Sequence, residues 1–169
     1  MHCSIFREDI IIEDRIGHMS LVEDYVNTRM VSRNSKASVL EISKVMTDWQ
    51  ISSVAITDEQ NKRVIGILTE RDVVHSIAKG VSPDSINAGS LMSTPVFCVR
   101  KDLPIEEAAR VMLKKNVRHL IVEDAHQGVR GIITTTDLAR YLRHRTERVS
   151  ATEGGESAEL LSEVWELFF

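Results

Sequence analysis

Gly66-Ile67-Leu68-Thr69-Glu70-Arg71-Asp72 decides the reading of this chain, because it returns 65 positions later as Gly131-Ile132-Ile133-Thr134-Thr135-Thr136-Asp137. Gly, Ile, Thr and Asp hold the same places in both copies. Repetition at this period marks supersecondary units that bury a hydrophobic face against one another. Working outward, Val31 and Val96 keep the same offset, whereas Val45-Met46 and Val111-Met112 stand 66 apart. One small gap is therefore expected to open and close between the copies.

Each copy reads as β-α-β-β-α. In the first, an extended stretch at 31–32 leads to a helix with Ser38 as N-cap and Val39, Ile42, Val45 and Met46 on its apolar face. A strand at 53–57, a polar turn at 58–62, a strand at 64–68 and a closing helix at 70–79 follow. The second copy offers a stretch at 96–99, then a helix from Pro104 with Ile105, Ala108, Ala109, Val111, Met112 and Leu113 as its apolar positions. Pro104 suits a first helical turn, and Glu106 and Glu107 its positive end. Strands at 119–123 and 131–133 flank a turn at 124–128, and a helix at 135–145 closes the unit. One unit is too small to bury its own sheet. The expected fold class is α/β (α+β), with two β-α-β-β-α repeats packed face to face in pseudo-two-fold symmetry. The expected layout is an N-terminal extension at 1–23, repeats at 24–80 and 89–145, a Gly/Ser/Pro/Asn connector at 81–88, and a C-terminal segment at 146–169.

Composition narrows the function. With 21 basic and 25 acidic residues the net charge is −4, so no broad field for nucleic acid is expected. Cys3 and Cys98 have neither metal spacing nor a C-x-x-C arrangement and read as reduced thiols of a cytoplasmic protein. No apolar run approaches the ~20 residues that span a bilayer, so no membrane partner is expected. Residues 1–12 carry Arg7, Glu8 and Asp9 within their apolar stretch and do not read as a secretory signal. The six histidines form no metal set. His75 is expected to face the core or a neighbour, and the basic run at 140–148 to be a solvated helix end. No G-x-S-x-G elbow, Walker loop or dinucleotide fingerprint occurs. The reading is therefore not an enzyme, with no catalytic residue, metal or catalytic cofactor assigned.

The repeated heptapeptide carries the chemistry. Its Thr falls where a strand ends and a helix begins, a place whose free amides and partial positive charge suit phosphate. Its Asp, one turn in, can accept from both hydroxyls of a ribose. Its Gly lets a ligand or a neighbouring backbone approach closely. The same T-x-x-D spacing also makes a capping box, which needs no ligand. Spacing alone leaves both readings open. Recurrence at matching places favours a ligand, although repetition could also preserve a cap.

These features resemble a pair of cystathionine-β-synthase (CBS) domains over residues 24–145. The resemblance rests on the two Gly-to-Asp heptapeptides, on Leu91-Met92-Ser93-Thr94-Pro95-Val96, and on Val117-Arg118-His119-Leu120-Ile121-Val122. It implies a regulatory module that binds AMP, ADP, ATP, S-adenosylmethionine or another adenosyl compound in two clefts. One cleft would combine Thr69, Arg71 and Asp72 with Thr94, Pro95, Val96, Val117, Arg118 and His119. The other would combine Thr134, Thr136 and Asp137 with Arg29, Met30, Val31, Ile51, Ser52 and Ser53. The motif Asp would hold ribose and the motif Thr would help hold phosphate. Arg118 and His119 are natural phosphate partners, or else the solvated edge of a strand. In the first copy Arg29-Met30 stands where the second has Thr94-Pro95, and Asn27 where it has Met92. The Asp137 cleft is thus expected to lack a small polar residue, with Arg29 adding charge for phosphate or filling the space.

The resemblance covers neither end. Residues 150–157 read as a linker. Beyond it Leu160, Leu161, Val164, Trp165, Leu167, Phe168 and Phe169 form an apolar tail, with Leu161, Val164, Trp165 and Phe168 on one helical face. Docking on the chain's own residues 5–12, on a second subunit or on an effector protein are its candidate uses. The resemblance implies a homodimer. The rival to the sensor is a structural interaction module in which T-x-x-D is only a cap.

Overall fold

Helices form where apolar residues recur at helical spacing and polar residues close the ends. The computed structural model describes residues 4–5, 20–60 and 63–149. In chain order the elements are β1 (Ser4–Ile5), a 3-10 turn (Val22–Asp24), β2 (Ser32–Asn34), α1 (Val39–Trp49), β3 (Ser53–Thr57), β4 (Val64–Thr69), α2 (Glu70–Ala78), α3 (Ala88–Leu91), β5 (Phe97–Arg100), α4 (Ile105–Lys115), β6 (His119–Asp124), β7 (Gly128–Thr134) and α5 (Thr135–Val149). Ser38 caps α1 as its sequence suggests, its hydroxyl accepting from the Glu41 amide at 3.1 Å. Both α1 and α4 stop at a left-handed residue, Gln50 and Asn116, each with φ 52°. This C-terminal stop satisfies the last carbonyls of each helix.

The chain divides into two units, one built from residues 29–96 and the other from residues up to 28 together with those from 97 onward. In the first, β2 runs parallel to β3 and β3 antiparallel to β4, giving the order β2-β3-β4. Val39, Ile42, Val45 and Met46 of α1 bury against Val54, Ile56 and Leu68 of the sheet, with Val73 and Ala88 closing the cluster. The second unit repeats this with β5-β6-β7 and adds β1 parallel to β5 at the edge. Its core joins Val99, Leu120, Val122 and Ile133 to Ile105, Ala108, Ala109 and Met112 of α4 and to Leu138, Tyr141 and Leu142 of α5.

The units do not coincide with the sequence repeats, because each repeat's leading segment folds into the unit made by the other. Val22, fully buried, belongs to the core of β5-β6-β7, and Ala88, fully buried, to that of β2-β3-β4. Backbone bridges fix the register. Asn27 exchanges hydrogen bonds with Ile132, at 2.9 and 3.1 Å, and Ser93 with Ile67, at 2.8 and 3.2 Å. Asn27 therefore corresponds to Ser93, not to Met92, and Thr28 to Thr94. The ladders agree, since Ser32 pairs with Ala55 and Cys98 with Ile121. The copies stay 66 apart from their leading segments through β3 and β6. They slip to 65 after the hairpin turn that follows Asp58 or Asp124. One gap opens, in that turn, and it does not close.

Cys98 is buried and disulfide-bonded, contrary to the reduced-thiol expectation. The chain's other cysteine, Cys3, lies outside the described residues, as does the apolar tail at 160–169. No helix among the described residues is long and apolar enough to cross a membrane.

Candidate functional site

Each motif sits at a strand-to-helix junction. Thr69 ends β4 with extended backbone and is the N-cap of α2. Asp72 Oδ2 accepts from the Thr69 amide at 2.9 Å and from its hydroxyl at 2.7 Å, and the Asp72 amide donates back to Thr69 Oγ1 at 3.3 Å. Thr134 and Asp137 repeat the pattern at 2.9, 2.8 and 3.4 Å. Both motifs are thus capping boxes, in which two helix-end donors and one carboxylate oxygen satisfy each other. The first helical amide is also taken: Glu70 donates to the Ser52 carbonyl at 3.0 Å and Thr135 to the Arg118 carbonyl at 3.2 Å.

Those carbonyls bring the strand-start residues into place. Ser53 lies opposite Thr69 in the β3–β4 ladder, and His119 opposite Thr134 in the β6–β7 ladder. Within a unit, Ile51, Ser52 and Ser53 therefore gather with Thr69, Arg71 and Asp72, while Val117, Arg118 and His119 gather with Thr134, Thr136 and Asp137. The resemblance assigned Val117, Arg118 and His119 to the Asp72 cleft and Ile51, Ser52 and Ser53 to the Asp137 cleft, whereas the ladders set each strand start beside the motif of its own unit. Antiparallel pairing makes each strand start the neighbour of its own motif.

The leading segments complete each group. Thr94, Pro95 and Val96 lie in the unit of Asp72, just beyond the Ser93–Ile67 bridge. Thr28 lies in the unit of Asp137, just beyond the Asn27–Ile132 bridge. The expected lack of a small polar residue beside Asp137 is thereby corrected, since Thr28 holds the register position of Thr94. The correspondence shows only in the bridges, because the one-residue offset between the copies falls in the hairpin turn. Arg29, Met30 and Val31 follow Thr28 but belong to the other unit.

The motif glycines have a packing reason. A Cβ on Gly66 would meet Met92 Sδ at 2.3 Å, and one on Gly131 would meet the Asn27 carbonyl oxygen at 2.3 Å. The close approach belongs to the leading segment, the second of the two sources the sequence allowed. Thr94, Ser52, Arg71 and Thr136 are exposed, Arg118 and His119 are half-buried, and Asp137 is only 5% exposed. His75 is exposed, so it does not face the core. Among the described residues no group of three His, Cys, Asp or Glu side chains could hold a metal.

With this geometry in view, the chain matches the CBS domain family twice, over residues 22–79 and 88–144. It belongs to that family. An uncharacterized protein of Methanopyrus kandleri, MK0525, is 34% identical over 110 residues, which are 64% of this chain and 56% of that protein. L-aspartate semialdehyde sulfurtransferase of Methanocaldococcus jannaschii is 29% identical over 72% of this chain but only 23% of its own length. The chain thus spans about half of the first relative and about a quarter of the second. Among solved structures, the CBS domain pair of protein MJ0100, in complex with 5′-methylthioadenosine and S-adenosyl-L-methionine, superposes with a TM-score of 0.67 at 25% identity, covering 76% of this chain and 99% of that one. A CBS domain protein of Thermoplasma acidophilum gives 0.72 at 22% identity, covering 89% and 77%, and supports the fold.

Proposed function

We propose that this chain is a regulatory module that binds an adenosine-containing ligand at its two Thr–Asp motifs. The observation that carries the reading is the repeated junction itself. In each unit one helix N-terminus, one carboxylate, a small polar leading residue (Thr94 or Thr28) and a strand start converge. The carboxylate would take ribose hydroxyls. The Thr hydroxyl and the amides of Arg71 and Thr136 would face ligand oxygens at the positive helix end. The ligands of the MJ0100 pair, 5′-methylthioadenosine and S-adenosyl-L-methionine, supply the adenosyl class, and AMP, ADP, ATP and NAD remain alternatives to it. Binding would shift the protein between conformations or oligomer geometries by no more than the ligand's differential affinity for them. A cytoplasmic homodimer that acts on an effector protein, without catalysis of its own, is the corresponding setting.

A thermal-shift panel with these six compounds tests the reading. A ligand at about 100 times its Kd adds roughly 2.7 kcal/mol to the folded state, a rise of several degrees for a chain of this size. Asp72→Asn should diminish that rise. If no compound shifts the midpoint at millimolar concentration, the reading is wrong.

A second reading is favoured by a specific feature. Trp49 and Val74 are each 65% exposed and Ile77 is 53% exposed, all on helices of one unit. Single exposed apolar residues are ordinary, but three large ones on α1 and α2 of the same unit favour a protein partner. In that interaction module the motifs only cap helices, and Asp72→Asn would lower stability with no ligand response to lose.

A further inference from the structure

The two motif aspartates differ in the surroundings of one oxygen and in burial. On both, Oδ2 is engaged by the motif Thr. On Asp72, Oδ1 accepts no hydrogen bond from any described residue, and the side chain is half-buried. On Asp137, Oδ1 accepts from Arg140 Nη2 at 3.0 Å, one helical turn on, and the carboxylate side chain is 6% exposed against 49% for the arginine. The difference comes from one position: three residues after the motif aspartate stands Arg140 in the second copy and His75 in the first.

A ribose diol donates hydrogen bonds to a carboxylate. At Asp72 one oxygen receives it without displacing anything. At Asp137 the same oxygen already accepts a charge-assisted bond, the stronger kind, and the carboxylate is so nearly enclosed that a diol reaches it only by displacing the guanidinium. The half-exposed guanidinium regains water when it leaves, which limits the penalty. We infer that Arg140 occupies the ribose position of the second motif, so that the first motif fills first and the second binds the same ligand more weakly. The inference rests on the ligand reading above and adds to it an order of filling and the residue that sets it. A net loss of one charge-assisted bond, discounted for solvent, corresponds to roughly 3- to 30-fold in affinity.

Isothermal titration of the full chain with S-adenosylmethionine, and separately with AMP, is the test. The expected result is two classes of site. Asp72→Asn removes the tighter class and Asp137→Asn the weaker. Arg140→Gln tightens the weaker class roughly 3- to 30-fold and leaves the tighter unchanged, whereas Arg140→Lys, which keeps a cation one turn on, tightens it less. Melting curves of the ligand-free variants establish that each is folded. Two equal classes in the wild type, or an Arg140→Gln variant whose weaker class is unchanged or weakened further, would overturn the inference while the ligand reading stands. The weakened case would mean that Arg140 swings to the ligand. The absence of heat with either compound in the wild type would remove the ligand reading and this inference together.

Discussion

Asn27 and Gly131 are in backbone contact: the Asn27 carbonyl oxygen would lie 2.3 Å from any Cβ at position 131. That carbonyl also accepts from the Ile132 amide at 3.1 Å, so it cannot retreat without losing a hydrogen bond. At Gly66 the three nearest atoms all belong to the Met92 side chain, Sδ at 2.3 Å, Cγ at 2.6 Å and Cβ at 2.9 Å, and none is a hydrogen-bonded backbone group. Gly131→Ala should therefore destabilise the protein by about 2–3 kcal/mol, within the range for overpacked sites. Gly66→Ala should cost about 1 kcal/mol, because Met re-packs readily. Chemical denaturation of the two variants checks the order, and equal losses would contradict the contact geometry.

The capping boxes allow a test that needs no ligand. Thr69→Ala deletes the acceptor of the Asp72 amide and the donor to Asp72 Oδ2. Loss of an N-cap of this type costs about 0.5–2 kcal/mol. Thr69→Ser keeps the hydroxyl and should recover most of it. The corresponding Thr134→Ala should cost more, since it acts on Asp137, which is 5% exposed and has less water to replace the lost bond. Thermal melts of the ligand-free proteins read all three changes.

Much of this architecture was legible because the repeat supplied two independent readings of one unit. Ser38, the apolar faces of α1 and α4, and the junctions at Thr69 and Thr134 all follow from local spacing. The two short leading helical turns were not legible. Val22–Asp24 and Ala88–Leu91 have three and four residues, too few for any period to show. Asn87, whose side chain accepts from the Ser90 amide at 3.0 Å, was the available signal for the second. The exchange of leading segments between units is a long-range fact, fixed by where Val22 and Ala88 find a core, and no local pattern encodes it. The partner of Arg140 was within reach of the sequence, because i and i+3 side chains face one another on a helix.

Tyr141 links α5 to α4 inside one unit. Its hydroxyl donates to Glu106 Oε1, while Arg145 Nη1 reaches the same hydroxyl at 2.9 Å and the same carboxylate at 3.3 Å. Burial, followed by the neighbouring carboxylate, pushes the phenol well above its usual range, so it stays a neutral donor at any working pH. The ring packs edge-on to Tyr25, with centroids 5.5 Å apart. Tyr141→Phe keeps that packing and removes the donor, leaving a partly buried carboxylate with one partner fewer. The expected cost is about 1–2 kcal/mol. Urea denaturation measures it, and a loss below ~0.5 kcal/mol would mean that Arg145 alone satisfies Glu106.

Asp124 makes stability depend on acid. Its Oδ1 accepts from the amides of His126 at 2.8 Å and Gln127 at 3.2 Å, and its Oδ2 lies 3.1 Å from Lys101 Nζ. The His126 amide foremost, then Lys101, hold the carboxyl down at about 2, against an ordinary 3.8. The folded state therefore binds this proton less readily than the unfolded chain does. A group shifted in this direction contributes its full stabilisation above pH ~4.5 and loses it progressively as the pH falls towards 2. Asp124→Asn removes the titration and keeps an acceptor for the turn amides. The wild type should melt higher than the variant at pH 7. The gap should hold down to about pH 4.5 and then narrow, closing near pH 2. Paired melts across pH 2–7 decide it. A gap that stays constant throughout would mean that the charge on Asp124 contributes nothing and the turn is held by acceptor geometry alone.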